Sequence, residues 1–199
     1  DIKVVLKNAI LASKSDPFDP MERAIHLAGD KLLGLKTSLH SELTLFREYP
    51  LTSGLLAVSQ IWSSGESGEL VVASKGAPEA IAELCHLSAE RRASLAVEVE
   101  ELASKGLRVL GVACGKIQTK DLPEEHHDLD LEFIGLLGLE DPLRPSVPAA
   151  VAECQAAGIL VVMITGDYPA TAQSIARQAG LFNYKTVLTG PELDHISED

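Results

Sequence analysis

Cysteine is scarce in this chain of 199 residues: Cys85, Cys114 and Cys154 lie far apart and form no Cys-x-x-Cys pair. That excludes a disulfide framework and argues against a metal site. Reduced core thiols in a cytosolic setting are expected instead. No apolar run approaches the ~20 residues needed to cross a bilayer, so no membrane span is expected. No leader-like segment is read either. Positive charge is also short, with 17 Lys and Arg against 29 Asp and Glu and a net charge of -12. Nucleic acid and anionic membrane surfaces require a basic face, so neither is an expected partner. An anionic ligand would be held by local positive charge against an unfavourable overall field, at modest affinity. The His126-His127 pair sits in the acidic run Glu124-Glu125-His126-His127-Asp128 with no further ligands close by. It reads as a solvated loop rather than a metal site.

What is present is an ordinary globular composition, 46% hydrophobic and 23% charged, long enough for one large domain or two small ones. Two Asp-Pro steps in Asp16-Pro17-Phe18-Asp19-Pro20 break regular structure and start a helix over residues 21–32. Residues 53–62 and 69–74 read as strands joined by turn chemistry at residues 63–68, a hairpin. Helices are expected over 77–86 and 88–105, the second stopped by Gly106, with strands over 107–114 and 131–139. After Asp141-Pro142-Leu143-Arg144-Pro145 the rhythm changes to helix, buried apolar strand (159–164), helix and short strand (185–189). The fold expected is α/β. A mixed, largely antiparallel domain covers residues 1–140, and a doubly wound segment covers residues 141–199.

Two stretches carry candidate chemistry. In Lys75-Gly76-Ala77-Pro78-Glu79 a lone Lys is placed where a strand gives way to a loop, beside a glycine that leaves the backbone open. Pro78 then starts a helix. An anion could approach there, although a plain strand-to-helix loop has the same composition. Thr165-Gly166-Asp167 follows the apolar run and precedes a helix, the position where open α/β sheets bind ligands. An ordinary helix cap reads the same way.

Taken together and in order, these segments resemble the cytoplasmic part of P-type cation-transporting ATPases over most of the chain. Lys75-Gly76-Ala77-Pro78-Glu79 resembles the family's nucleotide-domain signature. Asp141-Pro142-Leu143-Arg144 is similar to its hinge motif, and Met163-Ile164-Thr165-Gly166-Asp167 to its phosphorylation-domain motif. The resemblance implies ATP as the ligand, with Lys75 lining the pocket and Gly76 close to the nucleotide. It implies that Arg108, in Leu107-Arg108-Val109-Leu110, reaches the phosphates; otherwise Arg108 reads as a surface salt bridge. Glu22, in Asp19-Pro20-Met21-Glu22, would hydrogen-bond near the adenine; otherwise it complements a helix dipole. Tyr49, in Glu48-Tyr49-Pro50, would stack on adenine where the family usually has Phe. Thr165 would hold the transferred phosphoryl group, with Asp167 and Arg144 at the domain junction. Asp167, a carboxylate, would repel phosphate unless it faced ribose, Mg²⁺ or an Arg.

The departures matter as much. Leu51-Thr52-Ser53-Gly54-Leu55 stands where the family often has basic residues, so weak ATP binding is expected. Tyr168 stands where Asn is frequent. No Asp-Lys-Thr-Gly nucleophile segment occurs, nor the later Gly-Asp-Gly-x-Asn-Asp segment that holds Mg²⁺. The expectation is an excised piece of a bacterial-type, calcium-pump-like ATPase from the cytoplasmic face of a membrane. Such a piece binds nucleotide but neither autophosphorylates nor pumps. Its partners would be the rest of its phosphorylation domain and the membrane domain. Self-association through exposed apolar edges is also expected. A stand-alone phosphatase of the haloacid-dehalogenase type is the rival enzyme, and a non-catalytic interaction module the rival of another class.

Overall fold

The computed structural model describes residues 1–34, 39–41, 43–63, 69–118, 122–193 and 195. Most of the turn expected at 63–68 lies outside them. Two units are distinguished, Asp1–Val99 with Val109–Leu139, and Glu100–Arg108 with Glu140–Asp199.

The first unit begins with α1 (Ile2–Leu11), capped by the Asp1 side chain, which accepts from the Lys3 amide. This helix is not among those expected from the sequence. The second Asp-Pro step does start α2 (Pro20–Leu33): the Asp19 carboxylate accepts from the Met21 and Glu22 amides, with Pro20 in the first turn. Five strands follow as β1 (Thr44–Tyr49), β2 (Ala57–Ser63), β3 (Leu70–Gly76), β4 (Leu107–Ile117) and β5 (Glu132–Glu140), hydrogen-bonded in that order. The pairs β1/β2, β2/β3 and β3/β4 are antiparallel. The expected mixed α/β fold with an antiparallel sheet is thus found.

Alternation along β3 sorts its side chains onto two faces. Leu70 and Val72 join β2 residues Ala57 and Ile61 in one core, completed by Ala80, Ile81 and Leu84 of α3 (Pro78–Leu84) and by Leu129. On the other face Ala73 and Trp62 pack with Leu11 and Ala12, next to a cluster of Val5, Leu6, Ala9 and Ile10 with Ile25. The sheet therefore lies between α1 with α2 and α3 with the 3-10 turn His126–Asp128. Strand β1, also unexpected, is one edge of the sheet. A bulge between Leu45 and Arg47 and mostly exposed side chains erase the alternation that would have marked it. Residues 53–56 precede β2 and are not part of it.

Helix α4 (Ala89–Ala103) is close to the helix expected over 88–105. In the second unit, α5 (Val147–Ala156) and α6 (Pro169–Ala179) form as read, and Gly180 closes α6 in the left-handed region. The hydroxyl of buried Thr171 donates to the Leu107 carbonyl at 2.9 Å, tying α6 to the residue next to Arg108. A short helix, α7 (Gly190–Leu193), follows.

Two expectations fail here. Residues 159–164 and 185–189 form no strand. A parallel strand is held by ladders to its neighbours, and no strand of the sheet is formed by residues 141–193. The apolar run is left largely in solvent, with Ile164 94% exposed.

Candidate functional site

Lys75 lies within β3, paired with Val58 on one side and Val112 on the other, not at the loop that follows. Its residue is only 7% exposed. The side chain projects onto the α1 face, where helix α1 ends. A helix C-terminus leaves carbonyls without intrahelical donors and carries partial negative charge. Side chains of the sheet meet that end. Trp62 Nε1 donates to the Leu11 carbonyl at 2.7 Å, and Lys75 Nζ to the Ala12 carbonyl at 2.9 Å. Turning the Gln60 amide so that its nitrogen faces α1 would add donations to the Leu11 and Ser13 carbonyls at 3.0 and 3.1 Å. Lys75 Nζ also donates to Ser13 Oγ at 2.6 Å and to Glu22 Oε1 at 2.5 Å. All three ammonium protons thus have protein acceptors. Burial pulls the Lys75 pKa below its usual 10.5, opposed by the hydrogen bond and charge of Glu22 and by Asp19 and Glu48.

The structure therefore joins two of the predicted residues, Lys75 and Glu22, directly. Glu22 is set by the first turn of α2, and its other carboxylate oxygen accepts from the Lys14 amide at 3.3 Å. Gly76 has a structural reason of its own: a Cβ there would stand 2.3 Å from the Leu56 carbonyl oxygen and 2.6 Å from Ala57 Cα. The close approach is to the neighbouring chain of the sheet, and no side chain fits.

Tyr49 ends β1 and is 5% exposed. Its hydroxyl donates to the Pro123 carbonyl at 2.5 Å. Its ring stacks on His126 at 5.3 Å between centroids, and the Arg47 guanidinium lies 4.5 Å from the ring centre. No open ring face is left for a base in this conformation. His126 departs from the solvated loop expected of it. It is buried, not solvated, because its 3-10 turn sets it against the sheet, where Nε2 meets Ser59 Oγ and that hydroxyl meets Ser74 Oγ. Burial and the neighbouring His127 lower its pKa to about 4. His127 is half-buried, 3.2 Å from a Glu83 carboxylate oxygen. The half-buried Cys85 and Cys114 are free thiols, and burial raises both, Cys85 to about 12, which favours the protonated thiol over the thiolate. A groove of about 890 Å³ elsewhere on this unit, between α1 and the β3–β4 ends, is lined by Lys7, Asn8, Val71 and Lys116 among others. None of the predicted site residues lines it.

In the second unit, Arg108 and Asp167 come together with Nε 3.7 Å from Oδ1; the Arg108 side chain is 54% exposed. Asp167 does face an arginine, one of the conditions named for a carboxylate at a phosphate site. The Thr165 hydroxyl donates to Asp167 Oδ2 at 3.1 Å and accepts from the Asp167 amide at 3.0 Å, a local turn that opens toward α6. Arg144 is exposed on the turn before α5. Among the described residues there is no group of three or more His, Cys, Asp or Glu positioned to hold a metal. Nor is any helix of theirs long and apolar enough to cross a membrane.

Sequence reading missed Ser13, the Ala12 carbonyl and the Ser59–Ser74–His126 chain. No motif marks them; only the pairing of α1 with β3 brings the first two to Lys75.

A buried, ion-paired lysine in the central strand of a five-stranded antiparallel sheet defines the class: a mixed α/β domain built around a fixed cation. Residues 18–146, well over half of the chain, match the family described as P-type ATPase, cytoplasmic domain N. The chain belongs to that family. It is 34% identical to a sodium/potassium exporting P-type ATPase of Schizosaccharomyces pombe, over 91% of this chain and 19% of that protein. It is 31% identical to a calcium-transporting ATPase of Bacillus subtilis, over 91% of this chain and 22% of that protein. A probable cation-transporting ATPase I of Mycobacterium leprae is 36% identical over 98% of this chain and 13% of its own length. The chain therefore spans about a fifth or less of these relatives.

Proposed function

We propose that residues 1–140 are the nucleotide-binding domain, and residues 141–199 part of the phosphorylation domain, of an ATP-driven cation transporter. The ion is proposed to be calcium or a related cation, by analogy with relatives named for calcium transport. The observation that carries this reading is the Lys75–Glu22 pair. Within the matched family region, the lysine of the Lys-Gly-Ala-Pro-Glu segment is kept charged at a position where a central strand ordinarily holds an apolar residue.

In this reading ATP binds at the first unit, with Glu22 toward the base and Lys75 toward the anionic part. Because the ammonium is already saturated and Tyr49 is enclosed, binding requires side chains to exchange partners, which fits a weak affinity. Arg108 contributes to the phosphates, Thr165 to the transferred phosphoryl group, and Asp167 and Arg144 to the junction. Mg²⁺ is assigned to the proposed parent, whose Gly-Asp-Gly-x-Asn-Asp segment would supply the main ligands. The acceptor aspartate, the membrane segments and the cytoplasmic placement at a membrane belong to the proposed parent. The solvent-exposed run at residues 159–164 supports self-association or coverage by that parent.

The test is an NMR titration with a non-hydrolysable ATP analogue. Millimolar or somewhat tighter binding is expected, with shifts clustered at Glu22, Tyr49, Lys75 and Arg108. Silence at all four at saturating nucleotide would end the nucleotide-domain reading. Incubation with labelled ATP should leave no covalent phosphate on the chain.

A further inference from the structure

Of the three acceptors on Lys75, two are held rigidly by the end of α1, and Ser13 is the one of these that is a side chain. Ser13 is completely buried at 0% exposure, and its hydroxyl donates to the Ala9 carbonyl at 2.8 Å. A hydroxyl has one proton and two lone pairs. With that proton held by α1, only a lone pair can face Lys75 Nζ, 2.6 Å away. The Ala12 carbonyl, 2.9 Å from Nζ, is equally fixed, since it is backbone at the end of the same helix. The third acceptor differs. Glu22 reaches across from α2 on a flexible side chain that is 16% exposed.

We propose that Ser13 is a positioning residue for Lys75. Together with the Ala12 carbonyl it fixes two of the three N–H directions, so that the N–H now held by Glu22 is the one that exchanges to an anionic ligand. This rests on the reading of Lys75 as a nucleotide ligand. Without Ser13 the ammonium turns to seek another acceptor, and the N–H aimed at the exchange position is lost.

The test uses Ser13→Ala and Ser13→Cys in the full chain; alanine leaves a small void, whereas the thiol fills the site with a larger atom that is a weak acceptor. Lys75 is followed through its ¹³Cε and ¹⁵Nζ resonances in lysine-labelled protein, and affinity through titration with the ATP analogue. Both variants should shift the Lys75 resonances without nucleotide present and weaken the analogue about tenfold, the loss of one charge-assisted hydrogen bond. Should the alanine variant not fold, the cysteine variant decides alone. Unmoved Lys75 resonances overturn the proposal, and so does unchanged affinity in a protein where Lys75→Met abolishes binding. If Lys75→Met leaves affinity unchanged, the nucleotide assignment fails. The resonance shifts would then still establish Ser13 as the residue that orients the ammonium.

Discussion

Two ion pairs at motif residues, Lys75–Glu22 and Arg108–Asp167, differ in almost every physical respect. The first is buried and short, and its ammonium has two further acceptors from the end of α1. The second is 3.7 Å long, and its arginine stands mostly in water. Inside a domain a charge is expensive to desolvate and stays only if every donor is matched. At the surface the same pairing is screened and contributes little. A motif lysine is therefore also part of the framework, whereas a motif arginine can be spared by it. Loss of function on mutation means different things at the two places.

The largest break in this comparison is Glu22→Ala. It leaves the Lys75 ammonium buried with only neutral acceptors, and about 3 to 5 kcal/mol of stability should be lost. Denaturant unfolding measures this directly. A loss under about 1 kcal/mol would mean that water or another carboxylate replaces Glu22, and that the pair is not the structural anchor described.

The sequence showed Lys75 as unusual but not why it is charged. Its explanation lies in α1, some 60 residues earlier, and a helix C-terminus meeting a strand leaves no local pattern. Most helices were legible because periodicity and caps are local: Asp19 with Pro20 opened α2, and Gly180 closed α6. Strand β1 was hidden by its bulge and its exposed edge. The run at 159–164 was legible as a strand, yet a strand is a property of pairs, and no strand pairs with it here. Apolar character is written in the residues; the neighbour that would use it is not. His126 failed for a related reason, since an acidic local context outvoted the buried serines that receive it.

The second test moves the comparison from ion pairs to a buried neutral group. Folded His126 titrates near pH 4, below the usual 6.5 of an unfolded histidine. Between those values the unfolded chain binds a proton that the folded chain refuses, so stability rises with pH. The contribution is complete above pH 6.5 and is lost as pH falls through about 4, roughly 3 kcal/mol in all. His126→Gln should remove this part of the slope. Urea midpoints for both proteins at pH 7, 5.5 and 4.5 supply the difference, and parallel pH curves would show that His126 is not the group that titrates.

The smallest expected effect is the most discriminating. Arg108→Ala should change stability by no more than about 0.5 kcal/mol, because the pair it breaks is long and its arginine is solvated. Added salt should reduce even that. If Arg108 meets the phosphates as proposed, the same variant should weaken the ATP analogue several-fold while its thermal midpoint stays within a degree or two. Glu22 and Lys75 cannot give so clean an answer, since their removal disturbs framework and pocket together. A variant with unaltered midpoint and unaltered affinity would reduce Arg108 to the surface salt bridge that was its rival reading. One with a collapsed midpoint would show that the exposed pair does more for the fold than its solvation allows.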